Sequence, residues 1–320
     1  MPLGLAAAGL APVLLTDSRR EARERRFDVA GALTVTAGLA LLVYALVGAN
    51  RAGWGSTATL GRLVLALVLL AAFILIELRA REPLVPFSFF RARTRTAANI
   101  IGLLVGGSLF PMFFFITLYM QRVLGFTALQ AGLSFVPLGV TVVLTASLVP
   151  RVIARVGLKP VLTAGLFLLA VSLAWFSLIS VNGSFVGDIL GPSLLAGVGM
   201  GIAFVALTIA AVSGVTERDA GLASGLINTL QQIGSALGLA VLVAVAAGAS
   251  GNPVAHAGAP AHDHLLLVHG YQTALLTGAG IAILGLLTTL MLIPRARTST
   301  RPSSSPASHP PAAAEATSSA

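Results

Sequence analysis

Amide and hydroxyl side chains recur within one apolar stretch of the chain, residues 220–249. Five of them are spaced by steps of three and four residues: Ser224, Asn228, Gln231, Gln232 and Ser235. On a helix this spacing predicts a single polar stripe. Such a stripe can hydrogen-bond a solute along a transport path, or it can hydrogen-bond a neighbouring helix without touching a solute.

Two other stretches combine aromatic and polar side chains at helical spacing. Along residues 96–120 and just beyond, one face carries Asn99, Gly106, Phe110, Phe114, Thr117 and Gln121. Along residues 189–215, one face carries Ser193, Gly197, Phe204 and Thr208. Aromatic area with a few polar groups is how proteins hold drug-sized lipophilic ligands. The alternative is that the phenylalanines face lipid.

Glycines form a second pattern, in which Gly197, Gly199 and Gly201 superficially resemble a dinucleotide-binding loop. That loop must follow a strand and open a helix, whereas this run lies in the middle of an apolar stretch. We therefore predict close helix packing there. The same interpretation applies to three further pairs, Gly102 with Gly106, Gly221 with Gly225, and Gly234 with Gly238.

Groups that could catalyse a reaction or bind a metal are sparse. The chain has no cysteine, which excludes disulfides and thiolate chemistry. Four histidines and one aspartate fall in a loop between the last two apolar runs: His256, His262, Asp263, His264 and His269. A solvated loop is favoured there over a Zn²⁺ or Cu²⁺ site. Glu77 and Asp188 are expected at opposite membrane faces, with no carboxylate buried in the hydrocarbon. We predict no enzymatic activity, no cofactor and no metal site.

The composition indicates where these residues must lie. Hydrophobic residues make up 56% of the 320 residues and charged residues only 10%, too few to cover a water-facing surface. A net charge of +9 suits a nucleic-acid binder, but the basic residues stand in short clusters between long apolar runs. Nucleic acid is therefore not an expected partner, and the lipid bilayer is.

Apolar runs of about 20 residues are long enough to cross a bilayer as helices. Nine runs are predicted to do so: 1–15, 29–49, 60–78, 96–120, 128–150, 160–181, 189–215, 220–249 and 270–293. The fold class is thus an all-α, polytopic membrane protein. Its predicted parts are a last span of a first bundle with a basic loop (1–28), two linking helices (29–81), an interfacial linker (82–97), a six-span bundle (98–293) and a disordered tail (294–320).

The basic residues predict the orientation of these spans. Of the 20 lysines and arginines, 17 fall in loops on one side of the membrane; the others are Arg51, Arg62 and Arg122. Because cytoplasmic loops carry the excess of basic residues, we expect a multi-pass protein of the inner (plasma) membrane with a cytoplasmic C-terminus.

Three segments together resemble the 14-span drug:proton antiporter branch of the major facilitator superfamily: EPLVPFSFF, LYMQRVLGFTALQAGLSFVPLG and ERDAGLASGLINTLQQIGSALGLAV. On this resemblance the chain begins at the family's sixth span and lacks the first five. We expect either that it is a fragment or that the true protein begins earlier. The loop RVIARVGLKP, residues 151–160, resembles the degenerate second-half copy of the family's cytoplasmic loop motif.

The resemblance implies proton-coupled efflux of drugs or lipophilic metabolites by alternating access. The implied partners are a small lipophilic substrate, protons and a missing N-terminal half. Without that N-terminal half, the chain is expected not to couple protons. The substrate-binding residues expected on this basis are Asn99, Phe110, Phe114, Thr117, Gln121, Ser193, Phe204, Thr208, Ser224, Asn228 and Gln232. The alternatives are a non-transporting membrane partner or regulatory protein, and an inactive fragment of a transporter.

Overall fold

The computed structural model describes residues 28–80, 92–251 and 261–294. These residues form nine α-helices and one π-helical turn, Phe185–Leu190. The helices are α1 (Val29–Ala52), α2 (Thr57–Arg79), α3 (Arg93–Arg122), α4 (Ala128–Ser134), α5 (Val136–Val156), α6 (Leu158–Phe176), α7 (Gly191–Val212), α8 (Glu217–Ser250) and α9 (Ala261–Leu292). No strand occurs in the described ranges. The all-α prediction is confirmed.

Eight helical spans are long and apolar enough to cross a membrane, with α4 and α5 together forming one of them. They correspond to eight of the nine predicted spans, whereas the first, residues 1–15, lies outside the described residues, as do most of the predicted linker and the tail. Helix α3 begins at Arg93, inside the range predicted as linker. Helices form here because a backbone in hydrocarbon must satisfy its own hydrogen bonds.

Local sequence signals set several helix ends. The Ser56 side chain accepts a hydrogen bond from the Thr59 backbone N–H at the start of α2. At the start of α4, Thr127 and Gln130 form a reciprocal capping box. Gly157 turns the chain between α5 and α6 with a φ of 88°, a left-handed conformation that favours glycine. These caps satisfy backbone groups that a helix end leaves without partners.

Helix α3 lies at the centre of the bundle and packs on α8 and α9, while α6 packs on α7 and α9. Helix α5 packs on α7, and α1 and α2 pair with each other, with α1 also contacting α8. Large apolar side chains on α2 and α5 are exposed, including Leu67 and Val143. In a bilayer this surface meets lipid, so exposure carries no hydrophobic penalty there.

The predicted glycine packing is confirmed at most positions. Gly199 of α7 approaches α6 so closely that an added Cβ would lie 3.0 Å from the Gly165 carbonyl oxygen. Gly197 and Gly201 bring the same helix against α5. At Gly221 and Gly225 an added Cβ would meet nothing within 4 Å. The packing prediction is wrong for that pair because its side of α8 has no close neighbour among the described residues.

Candidate functional site

The closest helix contact joins α3 to α8. At Gly106 an added Cβ would lie 2.9 Å from the Gln231 Cα atom, and nearer still to the Gln231 carbonyl oxygen. Gly234 meets the α3 backbone at Leu103 in the same way, and Gly238 meets it at Gly107. Without side chains between them the two backbones touch, which maximises dispersion contact and fixes how the helices are rotated.

On the two helices that form this contact, several predicted site residues are exposed. On α3, Phe110 and Phe114 are 41% and 38% exposed. On α8, Asn228 and Gln232 are exposed, one helical turn apart. Helix α3 thus offers aromatic area and α8 offers amides, on two helices in direct contact. This pairing suits a lipophilic solute that also needs a few hydrogen bonds.

Five further predicted residues are partly or fully exposed. Thr208 and Gln121 are exposed, while Thr117, Phe204 and Ser224 are half-buried. The Thr208 hydroxyl donates to the Phe204 carbonyl within α7 at 2.9 Å. Because this bond uses the hydroxyl hydrogen, the oxygen can still accept a hydrogen bond from a solute.

Two predicted residues are buried in the described structure. Asn99 is 3% exposed, and its amide nitrogen donates to the Arg95 carbonyl at 3.0 Å. Ser193 is fully buried on α7. The Asn99 Oδ1 and Ser193 Oγ atoms have no hydrogen-bond partner among the described residues. In this conformation neither side chain reaches a solute in the open region around Phe110 and Asn228.

The five-residue polar stripe of α8 divides between two faces. Gln231 is buried against Gly102 and Gly106 of α3, whereas its neighbour Gln232 is exposed. Adjacent residues on a helix point about 100° apart. Gln231 therefore packs against a neighbouring helix, whereas Asn228 and Gln232 are exposed and their contact with a solute stays a prediction.

A polar cluster, here called the outer cluster, joins four segments at the other end of α3. The Tyr119 hydroxyl lies 2.7 Å from the Ser180 carbonyl oxygen and 2.8 Å from Asp188 Oδ2. The Ser180 backbone N–H donates to the same carboxylate oxygen at 3.1 Å. From α9, the Gln272 amide donates to the Ile179 carbonyl at 2.7 Å. No sequence pattern indicated this cluster, because Tyr119 and Asp188 are 69 residues apart.

Two expectations about ionisable residues are corrected. No carboxylate was expected to be buried, but Glu77, near the end of α2, is only 2% exposed. His264 and His269 belong to helix α9 rather than to a loop. His256 lies outside the described residues. In the described ranges, no group of three metal-binding side chains occurs.

The eight apolar spans and the interlocked helices define a multi-pass α-helical membrane protein. Comparison with known proteins gives its family: residues 1–239 match the Major Facilitator Superfamily. The chain therefore belongs to this family of transporters.

Three relatives carry names that refer to export or resistance. The chain is 39% identical to the cephamycin export protein CmcT of Amycolatopsis lactamdurans, over 79% of this chain and 53% of that protein. It is 35% identical to the tetracenomycin C resistance and export protein of Streptomyces glaucescens, over 76% and 45%. It is 31% identical to the puromycin resistance protein pur8 of Streptomyces alboniger, over 88% and 56%. The chain spans about half the length of each of these relatives.

Proposed function

We propose that this protein forms the second half of an efflux transporter that exports drugs or other lipophilic metabolites by alternating access. The observation that carries the proposal is that α3 and α8, which pack directly on each other, both leave predicted site residues exposed: Phe110 and Phe114 on α3, and Asn228 and Gln232 on α8. The export and resistance relatives support the same function. The proposed substrate class is a small lipophilic compound, selected by shape and apolar area.

The proposed cavity is a half-cavity, completed by a first bundle. The matched relatives are about twice as long as the region they share with this chain. Transporter sites lie at the interface between two repeated halves, and the α3–α8 region would supply one wall. The predicted partners therefore include a first-half bundle as well as the substrate and the bilayer.

The proposed location is the inner (plasma) membrane, with the arginine-rich loops and the C-terminus in the cytoplasm. The charge bias of the loops supports this orientation. In it, the link between α5 and α6 lies on the cytoplasmic side and the outer cluster lies on the opposite side. The proposed driving force is proton influx, as the resemblance to drug:proton antiporters implies.

Cysteine substitutions test the open region directly, because the chain has no native cysteine to react in the background. We expect Asn228→Cys to be modified quickly by a charged thiol reagent, since thiolates form only where water reaches them. Gln231→Cys is the matched control, and we expect it to react at least tenfold more slowly because its side chain is packed on α3. Adding ethidium as a lipophilic probe should slow the reaction at Asn228→Cys.

Substitution of the aromatic wall completes this test. In the Asn228→Cys background, Phe114→Ala should weaken the protection by ethidium, because the ring supplies apolar contact area. Equal reaction rates at positions 228 and 231 would contradict the assigned helix rotation. Fast reaction without any protection would favour a membrane partner that does not transport.

Transport by the chain alone provides a second test. We expect everted vesicles that contain only this polypeptide to show no ethidium uptake when a proton gradient is imposed, because half a cavity cannot alternate access. The measurement is ethidium fluorescence with and without a protonophore. Gradient-dependent uptake that Asn228→Ala abolishes would show that the chain needs no first bundle.

A further inference from the structure

Two apolar grooves meet on the exposed side surface of the bundle, at the junction of α5 and α6. One has a volume of about 660 Å³ and runs between α6 and α9, past Phe167 and Leu286. The other, of about 440 Å³, runs between α5 and α6, past Leu148 and Val161, with Ile202 of α7 also lining it. Three residues line both grooves: Val156, Pro160 and Ala164. The grooves therefore diverge from a shared edge.

One basic residue lines the larger groove, and two more precede the shared residue Val156 in the chain. Lys159 lines the larger groove, and Arg151 and Arg155 lie one helical turn apart at the end of α5. The Lys159 ammonium donates one hydrogen bond, to the Leu290 carbonyl at 2.6 Å. An ammonium has three donors, so two remain. Within the part of the chain that the structure describes, neither guanidinium forms an ion pair.

We propose that this junction is a binding site for one anionic phospholipid. Its phosphate would lie at Arg155 and Lys159, and its two acyl chains would follow the two grooves. Basic pockets between membrane helices on the cytoplasmic side are suited to anionic head groups. The smaller groove offers almost only apolar surface to an acyl chain, and the larger groove is mostly apolar. The site is separate from the open region at Asn228 and does not depend on transport.

Charge and shape together select this occupant. A zwitterionic lipid presents a cation beside its phosphate, which the cluster of Arg151, Arg155 and Lys159 repels. A single-chain amphiphile fills one groove and leaves the other open. The leaflet that supplies the lipid follows from the proposed orientation. The pairing of the basic residues with the two grooves follows from the structure alone.

Native mass spectrometry of the purified full chain tests the proposal. The detergent-solubilised protein is titrated with dioleoyl phosphatidylglycerol or with dioleoyl phosphatidylcholine, and bound lipid is counted. We expect a preference for phosphatidylglycerol that Arg155→Gln reduces about fivefold, the factor for about 1 kcal/mol per basic side chain near an anionic lipid surface. Arg155 is exposed, so the variant should fold normally.

Matched variants separate specific binding from general lipid contact. Arg93→Gln removes an exposed charge from the start of α3 and should leave the preference intact. Ala164→Phe fills the shared edge without changing charge and should abolish the bound phosphatidylglycerol, whereas Ala71→Phe on the exposed side of α2 should not. Equal binding of the two lipids, equal losses in both arginine variants, or full binding by Ala164→Phe would overturn the proposal.

Discussion

Replacing Gly106 with alanine is expected to lower the free energy of unfolding by about 3 kcal/mol, at the upper end for overpacking a tight contact. The new methyl group would collide with the Gln231 backbone, whose Cα atom lies 2.9 Å from the Cβ position. A backbone cannot rotate out of the way as a side chain can, so α3 and α8 must separate. Separation also removes the contacts at Gly234 and Gly238 along the same seam.

The measurement is the free energy of unfolding of the purified chain in mixed detergent and SDS micelles. Gly225→Ala is the control, because it makes the same substitution on α8 where nothing lies within 4 Å. For Gly225→Ala we expect no loss in the free energy of unfolding, and a gain of up to about 1 kcal/mol because alanine has a better helix propensity than glycine. Equal destabilisation by both variants would mean that α3 and α8 do not meet at Gly106.

Removing the Tyr119 hydroxyl is the second substitution with a large expected effect. Tyr119→Phe should lower the free energy of unfolding by about 2 kcal/mol, the cost of a lost hydrogen bond to a charged group. The phenol bonds the Ser180 carbonyl and the Asp188 carboxylate, and its ring is fully buried. The phenylalanine ring retains the packing, so the loss reports the outer cluster itself.

Two other tyrosines provide controls in the same measurement. Tyr44 is 61% exposed, with its ring beneath the Arg62 guanidinium, and Tyr44→Phe should change stability by less than about 0.5 kcal/mol. Tyr271 is buried, but its hydroxyl has no hydrogen-bond partner among the described residues. Tyr271→Phe should therefore be neutral or slightly stabilising. A loss at Tyr271 as large as at Tyr119 would show that burial, rather than the outer cluster, sets the cost.

The spans could be predicted from the sequence because the bilayer restricts the options so strongly. A run of about 20 apolar residues becomes a helix, since only a helix satisfies all backbone polar groups within one segment in hydrocarbon. Eight of the predicted spans appear as helices within the described residues. The same physics explains why Gly106 and Gly199 were recognised as packing positions: small residues let helices approach closely where water does not drive them together.

The partners of individual side chains could not be predicted in this way. Gly225 and Gly106 sit in the same spacing pattern, yet only Gly106 faces another helix. Asn99 and Phe110 share a helix face, yet the first is covered and the second is open. Whether a face is covered depends on where neighbouring helices cross and diverge, and periodicity within one segment contains no information about that.

The sequence alone determined that this chain is a helical membrane protein with arginine-rich loops on one side, and its motifs indicated the transporter family. Only the tertiary structure decided which amide of α8 packs on α3, that Glu77 is buried, and that Tyr119 meets Asp188. The physical reason is that hydropathy and helix propensity act only between residues of the same span. Contacts between spans depend on how helices from distant parts of the chain rotate and cross. Close packing fixes that rotation and crossing only once the bundle has formed.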